Sequence, residues 1–167
     1  DPMIEREVAI KVLSQDVGTS GAALQRFLQE ARAIGRLNHP HIVSIYDIAQ
    51  WQGRYYLVME LLAGGSLSQY TEDRGPLPWP EACELAAQAA SGLAAAHAAG
   101  LIHRDIKPEN LMLTRDRLLK VVDFGLSKLV DAESSTRTTV TQAGQILGTP
   151  QYMSPEQFQA AAVDFRT

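Results

Sequence analysis

The sequence predicts an α+β fold in two parts, and three observations predict it. Residues 1–62 read as strands around one helix, a glycine pair follows in AGGS at 63–66, and a long alanine-rich helical stretch lies beyond. VAIKVL at 8–13 is β-branched and apolar apart from Lys11, the pattern of a buried strand that carries one charge. Between 21 and 38, Leu24, Phe27, Leu28, Ala31, Ile34 and Leu37 recur at steps of three and four, which predicts an amphipathic helix with Glu30 at the edge of its apolar face. NHP at 38–40 ends that helix, because proline disfavours helical geometry in the residue before it. IVSIYDIAQ and YYLVMELL, joined by WQGR, predict an antiparallel pair. AGGS then makes a joint, with Ser66 placed to cap a short helix, and GPLPWP leads into a long helix ending at Gly100. LIH, LMLT and LLKVVD predict short strands, with TRDR as the turn between the last two. From 126 to 147 periodicity is lost in a hydroxyl-rich segment of the kind that carries function or moves.

A chain of 167 residues with 46% hydrophobic content is enough for one core. Its 15 basic and 19 acidic side chains give a net charge of −4, which argues against general binding to nucleic acid or anionic membranes. No run of eighteen apolar residues occurs, and DPMIEREVAI lacks the layout of a secretory signal, so these residues are expected in the cytoplasm without a membrane segment. Cys83 is the single cysteine; no internal disulfide can form, and it reads as a buried small apolar residue on a helix. His39 and His41 read as part of a turn, not as metal ligands. Trp51, Trp79, Tyr55 and Tyr56 read as packing and rim residues.

The stretch HRDIKPENLML at 103–113 concentrates the chemistry. Asp105 and Asn110 flank a segment pinned by Pro108, and Asp123 ends a β-branched strand just before Phe124 and Gly125. Oxygen-bearing side chains on adjoining strand ends suit a hard cation such as Mg²⁺, which takes few protein oxygens and fills its shell with phosphate and water. Lys11 adds a point charge for phosphate oxygens, so the site suits a nucleoside triphosphate. Asp105 is then left to orient a hydroxyl and accept its proton. His103 reads as a brace for the loop, not as the general base.

VAIK with Lys11, Glu30 on the next helix, HRDIKPEN, DFG at 123–125 and SPE at 154–156 stand in the order of the eukaryotic-type protein kinases, and the chain resembles that family over almost its whole length. The resemblance implies a two-lobe kinase-like fold, with 1–62 as the small lobe, 63–167 as the first part of the large lobe and the boundary near Ala63–Gly65. It implies transfer of the γ-phosphoryl group of ATP, with Mg²⁺ or Mn²⁺, to serine or threonine hydroxyls of proteins, Lys107 two places after Asp105 favouring those acceptors. Lys11 is then a contact of the α- and β-phosphates held by an ion pair with Glu30. Asp105 is the catalytic carboxylate, Lys107 a γ-phosphate contact, and Asn110 and Asp123 the metal ligands. Gly148 and Thr149 position the acceptor. Met59 guards the back of the adenine pocket, Glu60 to Leu62 form the hinge, and Ala9 and Met112 line the pocket from above and below. Ser154 in GTPQYMSPEQ resembles the bacterial serine/threonine kinases.

Arg104 precedes Asp105 as it does in kinases that are switched by a phosphate on the activation segment, and Thr141, then Thr139, are the candidate sites. Activation within a dimer is left open. The glycine-rich loop expected before VAIK and the helices expected after SPE are not among these residues, so the chain reads as the middle of a kinase domain, expected to be aggregation-prone and of weak activity alone. Two alternatives are a catalytically silent scaffold of the same fold and a phosphotransferase acting on small molecules. Lys11, Glu30, Asp105, Asn110 and Asp123 together argue against the first, Lys107 and SPE against the second.

Overall fold

A computed structural model of the chain describes residues 5–13, 21–124, 150–159 and 161–167. β1 (Val8–Val12), β2 (Ile45–Trp51) and β3 (Arg54–Glu60) form an antiparallel sheet in the order β1-β3-β2. Gln52 and Gly53 join β2 to β3, with φ of 48° and 78°. Since Trp51 lies opposite Arg54, this is the two-residue primed turn whose twist matches its strands. α1 (Gly21–Gly35) buries Phe27, Ala31 and Ile34, and Leu28 and Leu37 pack on the same core half-buried, so its predicted apolar face is the one that it uses.

The second sheet is the hairpin of β4 (Leu111–Leu113) and β5 (Leu119–Val121), closed by the predicted turn at Thr114 to Arg117. Its outer edges are covered. Gly64 N–H donates to Leu113 O and Leu113 N–H to Gly65 O, both at 2.9 Å, on the β4 side. On the β5 side, Val121 N–H donates to His41 O at 2.9 Å and Val43 N–H to Val121 O at 3.1 Å. Leu119 is finished by side chains: its N–H donates to Gln88 Oε1 at 2.8 Å, and its carbonyl accepts from His41 Nδ1 at 2.9 Å. Ile42 and Val43, expected in β2, therefore serve β5 instead. An apolar β-branched run satisfies either partner, and the unpaired edge of β5 decides between them.

LIH is likewise not a strand. Residues 101–103 are irregular, and the Val122 carbonyl accepts from the His103 side chain. α2 (Leu67–Arg74) starts at the predicted cap: Ser66 accepts from Gln69 N–H, while the Gln69 side chain accepts from Ser66 N–H. α3 (Trp79–Ala98) buries Leu85, Ala89, Gly92 and Ala96. Cys83 is exposed, contrary to expectation, because two residues before Leu85 lies about 200° round the helix from the buried face. Trp79 and Trp51 are 78% and 66% exposed and contribute little packing. No helix among the described residues is long and apolar enough to cross a membrane.

Gly92 is where α3 meets the segment feeding β5. A Cβ there would lie 2.6 Å from His41 O, which is itself fixed by Val121 N–H. Gly92→Ala is expected to cost about 2 kcal/mol through this overpacking, seen as a lower denaturation midpoint with unchanged slope.

Candidate active site

The turn from 103 to 110 is built around one buried ring. His103 is 2% exposed; its Nε2 lies 2.8 Å from Val122 O and its Nδ1 3.2 Å from Asp105 N. A carbonyl only accepts and an amide N–H only donates, so Nε2 carries the proton, Nδ1 accepts, and the ring is neutral. It also packs on Phe124 with centroids 4.8 Å apart, tying the Asp105 turn to the Asp123 turn. This is the bracing role expected for it.

Arg104 and Asp123 have φ of 64° and 58°, a region costly for residues other than glycine and concentrated at functional sites. Pro108–Asn110 is a single 3₁₀ turn that brings Asn110 back onto Asp105. The buried Asn110 amide donates to Asp105 O at 2.7 Å and Oδ2 at 3.1 Å, which commits Nδ2 and leaves Oδ1 as its acceptor. Lys107 Nζ lies 3.4 Å from Asp105 Oδ2. Two of the predicted catalytic residues, Lys107 and Asn110, are thus gathered round the carboxylate of a third, Asp105. Val122 N–H donates to Asn110 O at 3.0 Å, so the strand that delivers Asp123 is pinned to the same turn.

Lys11 pairs with Asp123, Nζ to Oδ1 at 2.6 Å, rather than with Glu30. The left-handed turn at Asp123 and the position of Lys11 on β1 bring these two together, and neither spacing nor periodicity reveals that. Both side chains are 38% exposed, so opening the pair costs at most about 1 kcal/mol and places little obstacle before a ligand that engages both. Half-burial pushes the Glu30 carboxyl above its ordinary value of 4.5, and the positive charge of Arg104 draws it part of the way back. An acid whose folded pKa is raised favours folding in its protonated form, and that contribution is lost as pH rises through the folded value. Glu30→Gln is therefore expected to raise the melting temperature slightly near pH 7, with the gain vanishing below the ordinary pKa; a pH series of thermal melts checks this.

Beside these polar groups lies an apolar wall. Ala9 stands opposite Met59 across β1 and β3. Val43, Leu62 and Val122 form a small buried cluster against which Met59 and Met112 pack. The Glu60 carboxylate is committed to partners within the protein: its Oε2 is 2.9 Å from Lys120 Nζ and accepts from Ser44 N–H at 3.3 Å. Any contact of Glu60 with a ligand would come from its backbone. Thr139, Thr141, Gly148 and Thr149 lie outside the described residues, as does Gly125.

Residues 3–166 match the sequence profile of the family described as Protein kinase domain. The chain belongs to the protein kinase domain family. This kinase domain sequence is 42% identical over 168 residues to the serine/threonine-protein kinase PknL of Mycobacterium tuberculosis (strain ATCC 25618 / H37Rv), covering all of this chain and 41% of PknL. It is 40% identical over 157 residues to the serine/threonine-protein kinase PrkC of Bacillus subtilis (strain 168), covering 94% of this chain and 24% of PrkC. The crystal structure of the Mycobacterium tuberculosis PknI kinase domain is similar with a TM-score of 0.74 and 31% identity, over 99% of this chain and 60% of that one. The chain thus spans less than half the length of the curated relatives it matches, and its fold is the kinase fold over the part that it contains.

Two features of the kinase site escaped sequence reasoning. The Glu60–Lys120 pair joins residues sixty apart and has no local pattern. Gln157 donates from Nε2 to Arg104 O at 2.7 Å. The S-x-x-Q spacing of SPEQ is a signal that could have found its capping box with Ser154, though it was not read; its reach across to the Asp105 turn has no local signal.

Proposed function

We propose that the full-length protein transfers the γ-phosphoryl group of ATP to serine or threonine hydroxyls of proteins. The observation that carries this reading is the assembly round Asp105, with the Asn110 amide at 3.1 Å and Lys107 at 3.4 Å from one carboxylate oxygen. The neighbouring pair of Lys11 and Asp123 and the names of the relatives support it. Asp105 accepts the proton of the acceptor hydroxyl as its oxygen bonds to the γ-phosphorus and the bridge to the β-phosphate breaks. Lys107 neutralises charge on the γ-phosphate, and Lys11 leaves Asp123 to meet the α- and β-phosphates.

The donor set fits a hard cation: Asn110 Oδ1 receives no hydrogen bond among the described residues, and Asp123 offers a partly exposed carboxylate. Mg²⁺ or Mn²⁺ bound there would neutralise phosphate charge. The adenine would lie against Ala9, Met59, Leu62 and Met112, with the backbone of Glu60 facing its edge. Glu30 is assigned to the nucleotide-binding state, Thr149 to the acceptor, and Arg104 to a phosphate on Thr141 or Thr139. The test is incubation of the full-length protein with radiolabelled ATP, a protein acceptor and a small alcohol. Label on serine or threonine of the protein is expected; label on the alcohol alone, or none with nucleotide bound, refutes the proposal.

A further inference from the structure

We infer that Gln157 is a positioning residue for Asp105, holding the peptide between Arg104 and Asp105 in its turned orientation; this rests on the kinase reading of the site. The Gln157 amide is committed at both ends. Its Oε1 accepts from Ser154 N–H at 3.0 Å, which directs Nε2 to Arg104 O, where it donates at 2.7 Å. Gln157 N–H in turn donates to Ser154 Oγ at 3.2 Å, closing the capping box of α4 (Pro155–Phe158). The box thus selects which amide atom faces Arg104.

The carbonyl held in this way belongs to a residue at φ 64°, where the backbone needs outside support to stay. The other side of the same peptide is held as well, since Asp105 N–H donates to His103 Nδ1 at 3.2 Å. The peptide is gripped at its oxygen by Gln157 and at its nitrogen by His103. Rotation of that peptide swings the Asp105 carboxylate, and a misplacement of about 1 Å at a reacting group can cost about 10²-fold in rate.

Gln157→Glu separates this role from capping, because glutamate at the same position still accepts from the Ser154 N–H and keeps the box, yet has no donor for Arg104 O. Ser154→Ala is the converse: it removes the hydroxyl cap and leaves the donor in place. In the full-length protein, Gln157→Glu is expected to speed hydrogen exchange at the Asp105 amide about fivefold or more. It should also lower kcat about tenfold or more, with KM for ATP and the melting temperature close to wild type. Ser154→Ala should lower the melting temperature while leaving Asp105 exchange and kcat near wild type. The inference is overturned if Gln157→Glu leaves Asp105 exchange unchanged, or if Ser154→Ala reproduces both losses. Failure of the wild type to transfer phosphate would sink the kinase reading alone, because the exchange measurement decides the positioning role without turnover.

Discussion

Asp105→Asn in the full-length protein is expected to lower kcat for phosphate transfer by about 10²–10⁴-fold, with ATP affinity and thermal stability little changed. The argument is geometric. Asparagine keeps one oxygen and nearly the same volume, so the turn braced by His103 and Asn110 can persist. What disappears is the charged acceptor. Asp105 Oδ2 receives the Asn110 amide and faces the Lys107 ammonium, so this oxygen meets donors on two sides. An amide in its place must set its own N–H₂ against one of those donors or rotate away. Rapid-quench measurement of a single turnover isolates the chemical step, and a loss of less than about threefold would contradict the role assigned to Asp105.

Lys120→Met is expected to destabilise the kinase domain by about 3 kcal/mol. Lys120 and Glu60 have side chains 10% and 23% exposed, and their pair at 2.9 Å joins β5 to the end of β3. The ammonium also lies 3.4 Å from Ile42 O, while Ser44 N–H supports the carboxylate. Methionine fills the space of the lysine stem but leaves the Glu60 charge enclosed without its partner, and that uncompensated charge carries most of the cost. The double variant Lys120→Met with Glu60→Leu is then expected to recover most of the loss. Denaturant titration of the single and double variants measures the difference; a double variant no more stable than the single would show that shape, not charge, governs the site.

The candidate site was legible where residue identity at short spacing marks it. Asp105, Lys107 and Asn110 fall within one turn, and the Asn110 amide and Lys107 ammonium meet the Asp105 carboxylate. The helix carrying Glu30 and the capped helix after Ser66 were legible for a related reason: periodicity and capping are local. Long-range choices were not. Ile42 and Val43 are as strand-like as Ile45, and only the demand of β5 for an edge partner separates them. Lys11 was expected to pair with Glu30, and with the left-handed backbone at Asp123 it meets that acid instead. Cys83 failed as a core residue because composition cannot say which side of an alanine-rich helix faces inward.

The covered rims of the β4–β5 ribbon bear on which edges of the chain another strand can reach. Residues 64–66 and 41–43 occupy the backbone groups that an intruding strand would seek, and Gln88 and His41 plug the remaining pair at Leu119. The short ribbon that presents the acid of the DFG turn therefore offers no template for cross-strand addition by another molecule. Protection from intermolecular pairing is thus built from the same contacts that set the acid in place, so a lesion in either covering segment would expose a sticky edge beside the site it had been supporting.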